Sequence, residues 1–139
     1  MDEQRAFADL DGRVALVTGC GSSDGIGFAT ARLLGRQGAK VAITSTTERI
    51  QERVAELGDE GITASGHVAD LTDPDEAARV VAETVEIHGG LDILVNNAGM
   101  SQVGTEDLGR PFAELSTEEW QAGIDQNLNL TTNVTRAAL

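Results

Sequence analysis

The sequence has no tyrosine, one lysine (Lys40), one cysteine (Cys20) and two prolines among its 139 residues. A lone cysteine cannot form an intramolecular disulfide, so we expect a reducing compartment, the cytoplasm. The two histidines, His67 and His88, are predicted to lie at a strand end and a helix end, and no metal site is expected. No apolar run is long enough to cross a bilayer, and the amino terminus lacks the features of a signal peptide.

The charge of the chain is strongly negative, with a formal net charge of −13 at pH 7. An acidic surface repels phosphate backbones and anionic lipids, so neither nucleic acid nor a membrane is expected as a partner. Most of the excess acid follows residue 58, and an anionic ligand would therefore meet the least repulsion from the earlier part of the chain. With 40% hydrophobic residues, the composition is that of a globular domain.

Short apolar runs alternate with segments of helical periodicity. The strands are predicted at 14–18, 41–44, 62–68 and 91–95. The first helix is predicted over 26–37, with Ile26, Ala29, Leu33 and Leu34 on its apolar face. Thr46 or Thr47 is expected to cap the second helix, Asp73 the third, and a Ser116-x-x-Glu119 capping box the last. Residues 100–115 are predicted to form a polar loop.

This alternation of strands and helices predicts an α/β fold in which helices cover both faces of a parallel sheet. No linker or repeat divides the chain, so we expect a single domain over residues 1–139, with 1–12 as a leader segment. The order of elements is β-α-β-α-β-α-β-α.

A glycine-rich segment, from Thr18 to Gly27, joins the first strand to the first helix. Glycines at this position let the backbone approach a pyrophosphate, which then lies on the unpaired N–H groups of the helix N-terminus. The position between a strand and a helix makes this motif much more specific than glycines alone. It predicts a dinucleotide site.

The chain resembles the short-chain dehydrogenase/reductase family in four places. Gly21-x-x-x-Gly25-Ile-Gly27 is similar to the family's glycine motif, and Asn96-Asn-Ala-Gly99 matches its Asn-Asn-Ala-Gly signature. Asp70-Leu71 looks like the pair beside the adenine ring, and Asn127 is similar to the helix asparagine of the proton relay. The resemblance implies a doubly wound Rossmann-type sheet with strand order 3-2-1-4 and an NAD(P) cofactor. It implies one catalytic residue, Asn127, and the following cofactor-binding residues: Gly19, Gly21, Ser22, Ser23, Gly25, Ile26, Gly27, Ser45, Thr46, Asp70, Leu71, Asn97, Ala98 and Gly99.

Two features depart from the family pattern. Five residues separate Gly19 from Gly25, where the family usually has three, which affects the register of the phosphate loop. The family's catalytic Ser and Tyr-x-x-x-Lys lie beyond the helix in which this sequence stops, and the sequence has no tyrosine to replace them. We therefore expect an incomplete Rossmann domain that is inactive alone.

The end of the second strand bears on the choice of cofactor. An NAD-type site holds the ribose 2′-OH with an acid there, whereas this strand ends in Ser45, Thr46 and Thr47. Their hydroxyls and Arg49 favour the 2′-phosphate of NADP, although Asp24 opposes it.

Three functions remain open at this point. The resemblance implies a full-length oxidoreductase that passes a hydride between nicotinamide and a small alcohol or carbonyl substrate. The alternatives are a non-catalytic dinucleotide-binding module, or half of a split enzyme, and a methyltransferase on a similar sheet. The methyltransferase would need an acid after the second strand. We expect the chain to form a homo-oligomer or to pair with a completing chain.

Overall fold

The computed structural model describes residues 9–99 and 111–139. Four strands and three helices alternate first: β1 (Val14–Val17), α1 (Ile26–Arg36), β2 (Lys40–Ser45), α2 (Ile50–Asp59), β3 (Ala64–Val68), α3 (Pro74–His88) and β4 (Ile93–Val95). A 3₁₀ turn (Phe112–Glu114) precedes a continuous helical region made of α4 (Thr117–Ile124), a π-helical segment (Asp125–Asn129) and α5 (Leu130–Ala138).

The four strands form one parallel sheet in the order β3-β2-β1-β4. Val17 of β1 pairs with Ile43 of β2 on one side and with Val95 of β4 on the other. The chain therefore adds β2 and then β3 on one side of β1, and it then places β4 on the other side of β1. The predicted fold class and strand order are confirmed.

Two hydrophobic clusters cover the two faces of the sheet. One cluster contains Val17, Phe28, Ile43, Ile50 and Leu57, and brings α1 and α2 onto one face. The other cluster brings α3 and α5 onto the opposite face, with the buried residues Leu16, Ala42, Val80, Leu130 and Val134. Since β1 is covered on both faces, its side chains are uniformly apolar instead of alternating.

The predicted apolar face of α1 is wrong except for Leu34, which is partly buried and packs against the core. Ile26 is 80% exposed and Leu33 is 59% exposed, whereas the buried residues are Gly27, Phe28 and Ala31. The ring of Phe28 enters the core, and this sets which face of the helix is buried. The guanidinium carbons of Arg32 and Arg53 lie 4.6 and 5.6 Å from the ring centroid.

The predicted caps were correct for two helices and wrong for one. The Asp73 side chain accepts a hydrogen bond from Asp75 N–H at the start of α3, and Ser116 and Glu119 form a reciprocal capping box at α4. Neither Thr46 nor Thr47 caps α2, which begins at Ile50 without a side-chain cap. The Thr47 N–H instead donates to the Ser45 hydroxyl, so the chain makes a turn before the helix starts.

Residues 100–110 of the predicted polar loop lie outside the described residues. Beyond them, Trp120 is half exposed and packs edge-to-face on Phe112, with ring centroids 5.5 Å apart. Within residues 9–99 and 111–139, no helix combines the length and apolarity needed to cross a membrane.

Candidate functional site

The predicted dinucleotide-binding residues gather along the edge of the sheet where the parallel strands end. The loop after β1 and the segment after β4 meet there, at the point where the strand order reverses. In open α/β sheets, ligands bind in the crevice outside the carboxyl ends of the strands at such a reversal. The topology alone therefore marks this edge as the candidate site.

Thr18 joins the two sides of the crevice. Its buried hydroxyl oxygen accepts hydrogen bonds from the N–H groups of Asn97 (3.1 Å) and Ala98 (2.9 Å). The same hydroxyl donates to the Val95 carbonyl at 3.4 Å. Thr18 was not among the predicted site residues, although a polar residue at the end of an otherwise apolar strand was a signal for it.

Asn97 also joins these two segments, and here the side chain belongs to the segment after β4. Its side-chain amide donates to the carbonyl oxygens of Thr18 (3.0 Å) and Gly19 (3.1 Å). Asn97 and Thr18 thus fix the loop after β1 against the segment after β4.

Two glycines are required by this close approach. Gly19 has a φ of +73°, and a Cβ atom there would lie 2.7 Å from Ala98 Cα. A Cβ atom at Gly27 would lie 2.7 Å from the Gly19 carbonyl oxygen and would also overlap the side chain of Asn97. Neither overlap can be relieved by moving a flexible side chain alone, because each involves backbone atoms.

The N-terminus of α1 opens onto this loop. Gly25 occupies the cap position, no side chain caps the helix, and no acidic residue lies in its first turn. An uncapped helix N-terminus has unpaired N–H groups and a partial positive charge, both of which favour a phosphate group. The glycine cradle and the helix terminus together fit a dinucleotide pyrophosphate.

The residues directly before Gly25 form a turn at the start of α1. Gly25 N–H donates to the Ser22 carbonyl at 3.2 Å, and Ser22, Ser23 and Asp24 are all exposed. The Ser23 hydroxyl donates to the Asp24 carboxylate at 2.6 Å. Three of the five residues between Gly19 and Gly25 thus lie on the exposed side of the loop.

Basic residues lie on the β2 side of the loop. A Cβ atom at Gly21 would be 2.7 Å from Ser45 Oγ and 3.1 Å from Arg49 Nε, so both side chains contact the loop at Gly21. Arg53 Nη1 donates to the Gly21 carbonyl at 3.4 Å. Arg49 and Thr46 are exposed, whereas Ser45 is buried.

Asp70 and Leu71 follow β3 along the same edge. The exposed Asp70 carboxylate accepts hydrogen bonds from Thr72 N–H (3.0 Å) and from the Thr72 hydroxyl (2.6 Å). Leu71 is buried, and its carbonyl accepts from the Asn133 side chain at 3.1 Å. The turn after β3 is thereby held in one conformation and attached to α5.

Asn127 lies in the π-helical segment between α4 and α5. Its side-chain amide donates to the Gly123 carbonyl at 3.0 Å. A Cβ atom at Gly99 would lie 2.9 Å from Asn127 Oδ1, so the carboxamide is adjacent to the end of the Asn96–Gly99 segment. The sequence identified Asn127 but gave no signal for the local π-helical turn.

Two residues with reactive side chains contribute little to this edge. Cys20 is buried with its thiol donating to the Val17 carbonyl, and burial raises the pKa of the thiol to about 12. Lys40 begins β2 at the opposite edge, where its ammonium donates to the His88 carbonyl at 3.4 Å. Among the described residues, no group of three or more His, Cys, Asp or Glu side chains is placed to hold a metal ion.

Comparison with known proteins gives one consistent result. The family model described as short chain dehydrogenase matches residues 13–139. The chain is 38% identical over 135 residues to "Dehydrogenase/reductase SDR family member 4" of Bos taurus. The aligned region covers 94% of this chain and 44% of that protein.

Solved structures agree with this sequence relationship. A short chain dehydrogenase from Mycobacterium smegmatis superposes with a TM-score of 0.84 at 36% identity, over 94% of this chain and 52% of that one. A short chain dehydrogenase from Burkholderia cenocepacia in complex with NADP gives a TM-score of 0.79 at 37% identity, over 94% and 51%. The chain thus spans about half the length of the relatives that it matches.

Proposed function

The chain belongs to the short-chain dehydrogenase family, and from this membership we propose that it forms the dinucleotide-binding part of an NAD(P)-dependent oxidoreductase. The observation that carries the proposal is the cradle at Gly19 and Gly27, fixed by Thr18 and Asn97 beside the uncapped N-terminus of α1. When bound, the cofactor supplies the hydride carrier for exchange with a small alcohol or carbonyl compound.

In this proposal, the residues of the chain bind and orient the two ends of the cofactor. The N–H groups at the start of α1 and the hydroxyls of Ser22 and Ser23 hold the pyrophosphate. Asp70 and Leu71 contact the adenine side, while Ala98 and Gly99 contact the nicotinamide side. The remaining proposed contacts are those of Gly19, Gly21, Gly25, Ile26, Gly27, Ser45, Thr46 and Asn97.

We assign Asn127 to the proton path near the nicotinamide side. Its carboxamide lies beside Gly99, and it sits where the helix has widened to π geometry. An amide can both donate and accept, so it can hold a water molecule in an ordered chain. Asn127→Asp preserves the size of the side chain but removes the donor, and should impair proton transfer in the complete protein more than cofactor binding.

NADP is the proposed form of the cofactor. β2 ends without an acid, and Arg49 approaches the loop at Gly21 beside Ser45. A guanidinium group is a suitable partner for a 2′-phosphate. We expect Arg49→Gln to weaken NADPH binding about tenfold while leaving NADH binding nearly unchanged, as measured by fluorescence titration of each cofactor.

A matched control for this experiment is Arg36→Gln. Arg36 is another exposed arginine, and it pairs with Glu60 at 2.7 Å on the outer surface of α1. This substitution changes the net charge by the same amount and should alter neither affinity. Tighter binding of NADH than of NADPH by the unmodified chain would contradict the assignment of NADP.

The same titration distinguishes the main alternatives. Saturable NAD(P)H binding that is lost in Gly27→Ala supports the proposed site, whereas binding of S-adenosylmethionine in place of NAD(P)H would favour a methyltransferase. A single cysteine cannot form an intramolecular disulfide, and on this ground we propose a reducing compartment, the cytoplasm.

A second candidate function is a dinucleotide-binding module, or half of an enzyme completed by another chain. It is favoured by one observation within the described residues, namely that β4 pairs only with β1 and leaves its other edge open. Co-expression with a candidate completing chain should then restore turnover.

A further inference from the structure

Four side chains form a continuous hydrogen-bonded cluster between β3 and α3, which we call the Ser65 cluster. Ser65 Oγ lies 3.0 Å from His67 Nε2 and 2.8 Å from His88 Nε2. On the other side of its ring, His67 Nδ1 lies 2.8 Å from a carboxylate oxygen of Glu83. Both histidines are buried, while Ser65 is half-buried.

The chemistry of these groups fixes the direction of each hydrogen bond. The pKa of the Glu83 carboxyl is lowered, first by its hydrogen bond to His67 and then by Arg79, so it is ionised and only accepts. His67 therefore donates to Glu83 from Nδ1, and a ring that carries its proton there presents Nε2 as an acceptor for the Ser65 hydroxyl. Ser65 Oγ in turn accepts from His88 Nε2–H.

The environment of His88 favours the same hydrogen-bond direction, in which His88 donates to Ser65. Burial first, and then the nearby Lys40 ammonium, lower the pKa of the His88 imidazole, so the ring is neutral at pH 7. A neutral ring whose Nε2 carries the proton donates to Ser65 and cannot remove the serine proton. His67 is therefore the base, and Glu83 orients it.

A serine that donates to a histidine, which in turn donates to a carboxylate, has the arrangement that activates nucleophiles. We propose that Ser65 is a reactive nucleophile that accepts acyl or phosphonyl groups from activated esters and fluorophosphonates. In the acyl reaction, Ser65 Oγ attacks the carbonyl carbon and its proton passes to His67 Nε2. The new O–C bond replaces the bond to the leaving alcohol, which receives the proton from His67.

The Ser65 cluster is separated from the proposed dinucleotide site along the sheet. Ser65 is near the start of β3 and pairs with Ala42, whereas the dinucleotide residues follow the ends of the strands. His88 ends α3, beside Lys40 at the start of β2. β3 is an edge strand of the sheet, and Ser65 is only partly buried.

The experiment treats the folded chain with an alkyl fluorophosphonate and follows its mass, with peptide mapping to locate the adduct. In this reaction Ser65 Oγ forms the bond to phosphorus, fluoride leaves, and the serine proton passes through His67 to solvent. We expect one adduct, on Ser65, and none in Ser65→Ala. His67→Gln should slow the reaction by ~10²-fold or more, since a positioned general base contributes ~10²–10⁴-fold.

Three further comparisons make the result decisive. Glu83→Gln changes a residue at the surface of α3 and should slow labelling about tenfold while far-UV circular dichroism confirms the fold. Thr63→Ala removes an exposed hydroxyl two residues from Ser65 and should leave the rate unchanged. The urea-unfolded chain should lose its labelling, since folding assembles the cluster. Absence of an adduct on Ser65 in the folded chain, or equal rates in the folded and unfolded chains, would overturn the proposal.

Discussion

An added methyl group at Gly27 would overlap two parts of the candidate site, the loop after β1 and the segment after β4. We expect Gly27→Ala to destabilise the fold by about 1–3 kcal/mol, because the Cβ atom overlaps the Gly19 carbonyl and the Asn97 side chain. The same change should abolish dinucleotide binding. Gly58→Ala is the control, since nothing lies within 4 Å of its Cβ position in α2. That change should raise stability by up to ~1 kcal/mol through helix propensity. Thermal unfolding measures both, and equal melting temperatures for the two variants would refute the argument.

Thr18 provides a second prediction for a single residue. Thr18→Val keeps the shape of the side chain but leaves the N–H groups of Asn97 and Ala98 without their acceptor, which should cost about 1–3 kcal/mol. Thr30→Val serves for comparison, because that hydroxyl bonds only to a carbonyl that is already part of α1. Its cost in urea unfolding should be well below that of Thr18→Val, and the reverse order would contradict the proposed role of Thr18.

Individual residues of the site were predictable from sequence to different degrees. Gly19, Gly27 and Asn97 were predicted because their motifs stand next to strand ends, and the structure brings these three residues together. Thr18 was missed because its role depends on β4, which is almost eighty positions later in the chain. The burial of Phe28 in place of Ile26 was also missed, since periodicity allows more than one face and the packing against β1 and β2 decides between them.

At the level of elements, the packing of α3 on β3 should make stability depend on pH. The pKa of His88 is lowered from its ordinary value of 6.5, chiefly by burial, so the folded state disfavours the charged ring. The groups near it are Ser65 and His67 from β3 and Lys40 from β2. The stabilising contribution is complete above pH 6.5, and it is lost as the pH falls from there through the folded pKa.

The measurement is the free energy of unfolding of the chain between pH 7.5 and about pH 5, compared with that of His88→Gln. The variant has no ionisable group at this position, so its stability should fall less over the interval. The carboxyl groups of Glu83 and Asp92 also have lowered pKa values, but their contribution is lost at lower pH. Identical pH profiles for the two proteins would contradict the burial-based account of His88.

The open edge of β4 leads to a prediction about association. Ile93, Leu94 and Val95 are only partly buried, and the strand pairs on one side with β1. An unpaired apolar edge is a template for pairing with another chain. We therefore expect the 139-residue chain to self-associate at micromolar concentration in sedimentation velocity, and a stable monomer under these conditions would refute this prediction.

Helix ends were easier to predict than helix faces. The Asp73-Pro74 start of α3 and the capping box of α4 were correct because local side chains alone make the required hydrogen bonds. The start of α2 was wrong because the chain turns at Ser45–Thr47 and the helix begins later, at Ile50, with Arg49 at the cap position. The π-helical segment around Asn127 has no local signal, and it required the structure.

On the scale of the whole molecule, the account predicts cofactor binding without family-rate catalysis by this chain. Reduction of a carbonyl needs a proton for the developing alkoxide, and a positioned acid contributes ~10²–10⁴-fold. The sequence has no tyrosine, and Lys40 lies at the edge of the sheet opposite the candidate site. We expect no NAD(P)H consumption above background with a panel of ketones and aldehydes. Turnover within tenfold of a complete family enzyme, in a chain of verified mass, would show that other residues supply the proton.

The most direct test of the central claim is a titration of the chain with NADP⁺ followed by backbone amide NMR. The account predicts saturable shifts at the carboxyl edge of the sheet, in residues 19–27, 45–46, 70–71 and 97–99. Amides at the opposite edge, including those of Lys40 and Asp92, should remain unchanged. Absence of shifts at saturating NADP⁺, or shifts confined to that opposite edge, would contradict the assignment of this edge as the dinucleotide site.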